Sequence, residues 1–234
     1  MTIAEAAARC GLPESTLRYW ERIGLVNRVP QAVSIEDRRL RERTARRRLI
    51  MATARTLAEH EGWDAVTTRR LSTEIEYSQP VLYKHFASME EIVEAVALEG
   101  FGELAEALGA ARRSASAAGD ALARTAHAFS KFAIDNPALY DAMFSRATRL
   151  RFGPDSPAPL HAAFGELRAA VATVAHDRDT DTLTEVLWAG LHGLATLSRS
   201  ERLRPGHDDE RIELLVAQFG VTGSGHHRNG HTSR

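Results

Sequence analysis

Apolar residues along this chain recur three and four positions apart, and no stretch alternates with the period of two that a half-buried strand requires. Ile50, Ala54, Leu57 and Ala58 form one such stripe. Leu71 with Ile75 and Leu82 with Phe86 form two shorter ones, each pair expected to face inward. Ala, Leu, Arg and Glu dominate, all good helix formers, so the pattern predicts an all-α fold. The punctuation between stripes places the elements. Thr2-Ile-Ala-Glu5 reads as a capping box opening a helix to about residue 9, which Gly11 stops. A second helix over 14–23 ends at Gly24, and residues 27–37, with Pro30, read as a linker. A long helix over 37–61 ends at Gly62. Thr67 is placed to cap a short helix over 68–75, with a bend at Glu76-Tyr77. Ser78 then caps a helix reaching about Phe86, with Pro80 in its first turn, where a missing N–H costs nothing. Ser88-Met-Glu-Glu91 is another capping box, opening a helix to about residue 111. Further helices are expected over 118–135, 137–146, 158–176, 180–200 and 208–219. Residues 151–159 read as a loop and 220–234 as a disordered tail.

Composition narrows the class. In 234 residues no apolar run approaches the ~20 needed to span a bilayer, so no membrane partner is expected. The first residues lack the basic and apolar regions of a signal peptide. The single cysteine, Cys10, excludes an intrachain disulfide, fits the reducing cytoplasm, and beside Ala and Gly reads as a small core residue. His226, His227 and His231 lie in the tail without fixed geometry, so no metal site is expected. GxGxxG, Walker, HExxH, CxxC and GxSxG patterns are absent, and no catalytic residue or cofactor is expected. Net charge is only −1, but between Glu36 and Leu57 eight Arg face three acids, a local +5. That block, including Arg46 and Arg47, is either a solvated helix face or a set of phosphate contacts.

The stretch 67–91, TTRRLSTEIEYSQPVLYKHFASMEE, carries the most chemistry. Two short helices meet at a tight corner. With Leu82 and Phe86 turned inward, Gln79, Val81, Tyr83, Lys84 and His85 occupy the other faces of the second helix. Gln79 suits a bidentate contact to adenine N6 and N7, and Val81 suits a thymine methyl. Tyr83, Lys84 and His85 suit phosphates, which set register rather than sequence. Thr67, Thr68, Arg69, Ser78 and Pro80 complete the candidate DNA surface. The plain alternative is an ordinary surface helix.

These residues resemble a family. Gly62-x4-Thr67-x-Arg69-x-Leu71-Ser72, Ser78-Gln79-x2-Leu82-Tyr83-x-His85-Phe86 and Ser88-x-Glu90 are similar to the DNA-binding half of TetR-type one-component regulators. Glu76 stands where that family usually has Gly at the corner, and Met89 where Lys is frequent. A second resemblance covers the N-terminus. Thr2-Ile-Ala-Glu5, Gly11-Leu12 and Ser15-Thr-Leu-Arg18-Tyr19-Trp20-Glu21-Arg22-Ile23-Gly24-Leu25 are similar to the first helix-turn-helix of the MerR family. In that family residues at the positions of Arg18 and Tyr19 meet DNA phosphate. No wing follows Leu25, so the module looks truncated. It contacts DNA, packs on the following head, or is a relic. Residues 1–36 are thus expected to be this fragment and its linker, 37–90 a TetR-type head, and 91–219 a helical ligand-binding and dimerisation domain.

In the C-terminal half, Trp188-Ala-Gly-Leu-His192-Gly193 resembles the Trp-His-Gly signature of one TetR C-terminal subgroup. Trp188 and His192, four apart, share a helix face. Gly190 and Gly193 would permit close helix approach. Phe129, Phe132, Tyr140, Phe144, His161, Phe164, Trp188 and His192 either line a ligand pocket or are plain core and seam residues. The resemblance implies a cytoplasmic homodimer, paired through helices 180–200 and 208–219. It would bind a double-stranded palindromic operator and be released by a small-molecule effector. The contrasting readings are a helical ligand-binding protein or enzyme that has lost DNA binding, and an adaptor acting through residues 1–35.

Overall fold

The computed structural model describes residues 3–23, 25, 35–147, 149–151, 153 and 155–220. Among these every regular element is helical. The Thr2 cap, most of the expected linker over 27–37 and the tail beyond Gly220 lie outside the described residues. The chain divides into two compact units, residues 1–49 and 50–234.

In the first unit α1 (Ile3–Cys10) and α2 (Glu14–Arg22) form a helix pair. Gly11 takes a left-handed φ of 64°, which lets Leu12 N–H reach back to Ala7 O at 3.0 Å and Gly11 N–H to Ala8 O at 3.4 Å. These two bonds are a Schellman closure, and glycine suits it because it has no Cβ to clash. Ala6, Ala7 and Leu17 are buried, with Ile3, Leu12 and Trp20 packed against them. Cys10, expected inside, is exposed because it follows the last buried position of α1. The long helix α3 (Ile35–Glu61) begins two residues earlier than its pattern suggested, and over residues 35–49 almost every side chain faces solvent.

The second unit starts where α3 acquires its apolar stripe, at Ile50. After a turn at Trp63–Ala65 come α4 (Thr68–Glu74), α5 (Gln79–Tyr83) and α6 (Met89–Arg113). The body adds α7 (Ala118–Asp135), α8 (Pro137–Asp141), α9 (Ala158–Ala172), α10 (Thr180–Arg199) and α11 (Asp208–Gly220). One continuous core runs from Ile50 through Leu71, Leu82 and Phe86 to Phe101, Phe129, Leu167, Leu191 and Phe219. Helix α6 is its axis, packing on α7, α8 and α9. A Cβ on Gly100 would lie 2.7 Å from Met143 Sδ and 2.8 Å from Leu139 Cδ1, so glycine lets α6 approach the α8 region closely. Gly190 does the same for α10 against Leu215 of α11. Gly193, expected to do likewise, has no neighbour for a Cβ to meet within 4 Å among the described residues.

Three helix ends depart from the pattern. The helix expected over 137–146 stops at Asp141 and continues as a π-type turn, Ala142–Arg146, closed by Ala147 N–H to Ala142 O at 2.9 Å. Helix α9 ends at Ala172, not 176, and helix α5 at Tyr83, not Phe86. After Tyr83 the chain tightens into i→i+3 bonds, Lys84 to Val81 and His85 to Leu82, which still swing Phe86 into the core.

Candidate DNA-reading corner and ligand cavity

Thr67 closes the first turn of α4, its side chain accepting from Arg70 N–H at 3.1 Å. Arg70 is braced by Glu61 and Glu74, each at 3.1 Å, so it stiffens the corner. Helix α4 ends in a second Schellman closure. Tyr77 N–H bonds to Ser72 O at 3.0 Å and Glu76 N–H to Thr73 O at 3.4 Å. Glu76 itself sits at φ 55°, the left-handed region that disfavours a side chain by about 1 kcal/mol. The corner therefore has the geometry that glycine usually supplies, held by a strained glutamate.

Ser78 takes the N-cap position of α5, but its side chain makes no capping bond there. Its backbone carbonyl accepts from Val81 N–H at 2.9 Å instead, and Pro80 lies in the first turn as expected. Leu82 and Phe86 are almost fully buried beside Leu71 and Ile75. That burial turns Gln79, Tyr83 and Lys84 outward, with Tyr83 half exposed and Val81 and His85 partly so. Thr67, Arg69, Ser78 and Pro80 are exposed around the same corner, and Thr68 is partly covered. At the start of α6 Ser88 and Glu91 bond the helix end from both sides. Ser88 Oγ accepts from Glu91 N–H at 3.3 Å, and the Glu91 carboxylate accepts from Ala87 N–H at 2.6 Å.

In the first unit Arg18 and Tyr19 are exposed on α2. Arg18 pairs with Glu14 at 3.3 Å, an exposed i,i+4 contact weak enough to exchange for phosphate. The Arg22 guanidinium lies 5.4 Å over the Tyr19 ring. Arg46 is exposed on α3 and Arg47 partly covered. Residues 1–49 hold eleven Arg against six acids, a local +5 that leaves residues 50–234 at −6. The positive charge of this chain is concentrated in the first unit.

In the body, Phe129, Tyr140, Phe144, Trp188 and His192 come together around Phe144. Its ring centroid lies 4.5 Å from Tyr140, 5.1 Å from His192, 5.3 Å from Phe101 and 6.3 Å from Trp188. Phe144 is carried by the π-type turn, which no helical pattern announces. Tyr140 Oη lies 2.7 Å from His192 Nδ1. Burial, only partly opposed by Arg199, pushes the Tyr140 phenol well above its ordinary range, so it keeps its proton and shares a hydrogen bond with the imidazole. Burial first, then Arg199, holds His192 below its ordinary pKa, which favours the neutral ring.

Beside this cluster a cavity of about 250 Å³ opens to solvent, lined by Gly153, Ser156, Leu160, His161, Phe164, Glu185 and Trp188. A second, much smaller space of about 10 Å³ is lined by Phe101, Leu104, Phe129, Phe144, Leu167 and neighbours. Phe164 and Trp188 line both and separate them. His161 stands exposed at the mouth, 3.1 Å from Ser156 Oγ. Phe132, expected with the aromatics, is buried in the core but lines neither space. Phe101, Ser156, Glu185 and Arg199 were not anticipated. Phe101 and Glu185 sit among residues that read as ordinary helix, and only packing singles them out.

The cluster is tied to the head through the start of α8. Glu59 of α3 accepts from Ala138 N–H and Leu139 N–H, both at 3.0 Å, in place of a local cap. Trp63 Nε1–H donates to Ala138 O at 2.7 Å, and Arg55 donates to Asn136 Oδ1 at 2.9 Å. From the other side Arg199 donates to Pro137 O at 2.7 Å and lies 5.2 Å over the Tyr140 ring. No helix among the described residues is long and apolar enough to cross a membrane. Among those residues, none of the His, Cys, Asp and Glu side chains group as a metal site.

Residues 50–96 match the family model described as bacterial regulatory proteins, tetR family. Residues 122–219 match the tetracyclin repressor-like C-terminal domain, and residues 2–30 the MerR family regulatory protein. The chain is 29% identical over 158 residues to an uncharacterised HTH-type transcriptional regulator of Mycobacterium tuberculosis, spanning 64% of this chain and 69% of that protein. A solved protein of unknown function from Rhodococcus sp. RHA1 superposes with a TM-score of 0.61 at 26% identity, over 74% of this chain and 93% of that one. RolR, solved in complex with the ligand resorcinol, has the same fold. Its TM-score is 0.55 at 16% identity, over 78% of this chain and 91% of RolR. Head and body both match, each over the residues where the corner and the aromatic cluster lie, and the chain belongs to the TetR family of transcriptional regulators.

Proposed function

We propose that this DNA-binding regulator acts as a homodimeric repressor of a palindromic operator and is released by a small molecule bound in its C-terminal half. The outward face of α5 carries the reading, with Gln79, Tyr83 and Lys84 presented over a buried Leu82–Phe86 anchor. One such short helix contacts too few base pairs for strong specificity, and two spaced about 34 Å apart read a palindrome. The partner face we assign is on α10 and α11, where Val186 and Leu214 are 54% and 60% exposed and Gly193 faces open space. Arg18, Tyr19, Arg46 and Arg47 would add phosphate contacts. No catalytic group, cofactor or metal enters this reading.

The effector site is the cavity beside Trp188, and the complex of RolR with resorcinol supports a small ligand in a protein of this fold. A ligand that presses between Phe164 and Trp188 displaces Phe144 and with it Tyr140. The start of α8 then moves against Glu59, Trp63 and Arg55 of the head. The ligand shifts the population toward heads wrongly spaced for DNA, which requires a coupling of about 1–3 kcal/mol. The double variant Tyr83→Ala/Lys84→Ala tests the reading in a gel-shift titration on DNA selected from a random pool. Affinity is expected to fall at least about 100-fold with Tm within about 2 °C of the parent, since both positions are exposed. Unchanged affinity overturns the assignment of α5. Sedimentation of the same samples is expected to give a dimer, and a monomer on DNA would remove the palindrome.

A further inference from the structure

The lining of the cavity beside Trp188 is uneven in charge. Leu160, Phe164 and Trp188 are apolar walls. His161 and Ser156 satisfy one another at 3.1 Å, and Ser156 Oγ also donates to Gly153 O at 2.6 Å. That leaves the Glu185 carboxylate. Among the described lining residues it is the one acidic side chain, and no Lys or Arg joins it. Among the described residues Glu185 makes no ion pair or side-chain hydrogen bond, whereas Glu166 on the neighbouring helix is paired with Arg112. Glu185, Trp188 and His192 follow one another at i, i+3 and i+7 along α10. Along that stripe an exposed carboxylate lines the cavity, the indole lines both spaces, and the imidazole, outside both linings, is bonded to Tyr140.

An anion entering this space would meet like charge and no cationic partner. A neutral aromatic would fill the walls and leave Glu185 unused. From this arrangement we infer that the cavity takes an amphipathic organic monocation, an ammonium or quaternary ammonium carried on an apolar or aromatic body. The inference rests on the cavity being the effector site. The cation lies against the Glu185 carboxylate and the face of Trp188, a position where indole and carboxylate attract it together. The body packs on Phe164 and Leu160 and presses toward Phe144. The polar end of the ligand is therefore selected at the mouth, and the wedge that moves α8 is its apolar end.

The test uses three probes: phenyltrimethylammonium, its neutral isostere tert-butylbenzene, and the smaller anion benzoate. Binding to the full-length protein is followed by tryptophan emission without DNA. Trp188→Phe removes the reporting indole and leaves the emission of Trp20 and Trp63 as background. Phenyltrimethylammonium is expected to bind at least about tenfold more tightly than tert-butylbenzene, and benzoate not to bind. Glu185→Gln should weaken the cation about tenfold and leave tert-butylbenzene unchanged. Isothermal titration with Glu185→Asp, which keeps the charge, should restore most of the difference. Equal affinity for cation and isostere, indifference to Glu185→Gln, tighter binding of benzoate, or no binding of the cation each overturns the inference. DNA release is measured separately. A cation that binds but leaves the operator complex intact upholds the cavity's preference and sinks the release mechanism. A neutral phenol that releases DNA where the cation does not bind does the reverse.

Discussion

Two corners in this chain are built by the same device and supported differently. Helix α1 ends at Gly11 and helix α4 at Glu76, each with a left-handed residue and a pair of Schellman bonds. The first corner uses the residue that the conformation favours, yet its pair rests on three buried side chains, Ala6, Ala7 and Leu17. The second uses a residue the conformation disfavours. Its helices are anchored by Leu71, Ile75, Leu82 and Phe86 in a core that continues to Phe219. Local chemistry closes the turn in both cases, but tertiary burial decides how much local strain the turn tolerates. A corner on a large core can carry Glu76, whereas one on a small cluster needs Gly11.

The largest effect that separates them is expected from core truncation. Leu82→Ala should cost about 3 kcal/mol of global stability, because Leu82 is almost fully buried in the main core. Leu17→Ala should leave the main unfolding transition in place and show only as faster hydrogen exchange in α1 and α2. Chemical denaturation with exchange detection compares the two, and equal losses in the main transition would erase the contrast. Next comes DNA. Deleting residues 1–36 removes Arg18 and Tyr19 and is expected to weaken operator binding about tenfold. The slope of log affinity against log salt should become shallower by about 1–2. An identical slope would show that only the second corner meets phosphate.

Exchanging the corner residues gives smaller effects of opposite sign. Gly11→Ala places a Cβ at φ 64° and should loosen the first pair by about 1 kcal/mol. Glu76→Gly should stabilise the head by about 0.5–1 kcal/mol by relieving its strain. Thermal melts of both variants check the pair, and a destabilised Glu76→Gly would mean that the glutamate side chain has a role the corner does not show. The smallest effect concerns the body. His192 has its pKa lowered in the fold, so the unfolded chain binds its proton more readily. Stability from this group is present above the ordinary value of about 6.5 and is lost as pH falls from there toward the lowered one. Below it the ring carries a charge that its partly buried place and the nearby Arg199 both oppose. Between pH 7.5 and 5.5 the parent should lose about 2 °C more in Tm than His192→Asn does, and parallel melts would refute the link.

Much of the site was legible from spacing. The Leu82–Phe86 pair indicated which face of α5 looks outward, and Thr67 and Ser88 marked helix starts that form as read. The aromatics at 129, 140, 144, 188 and 192 do meet, but their periodicity could not say whether they enclose space or fill it. Phe101 and Glu185 escaped notice because each looks ordinary on its own helix. The π-type turn escaped because nothing in its composition departs from a plain α-helix.

By itself the sequence determined the all-helical class, the order of the helices and the outward residues of α5. Those follow from period, caps and turn chemistry, which act over a few residues. Only the tertiary structure decided that Glu59, Trp63 and Arg199 converge on the first residues of α8. It alone decided that Glu185 stands over an aromatic-walled cavity and that Glu76 keeps a strained φ. Each of these depends on residues tens of positions apart meeting in one place, and packing, not local preference, brings them there.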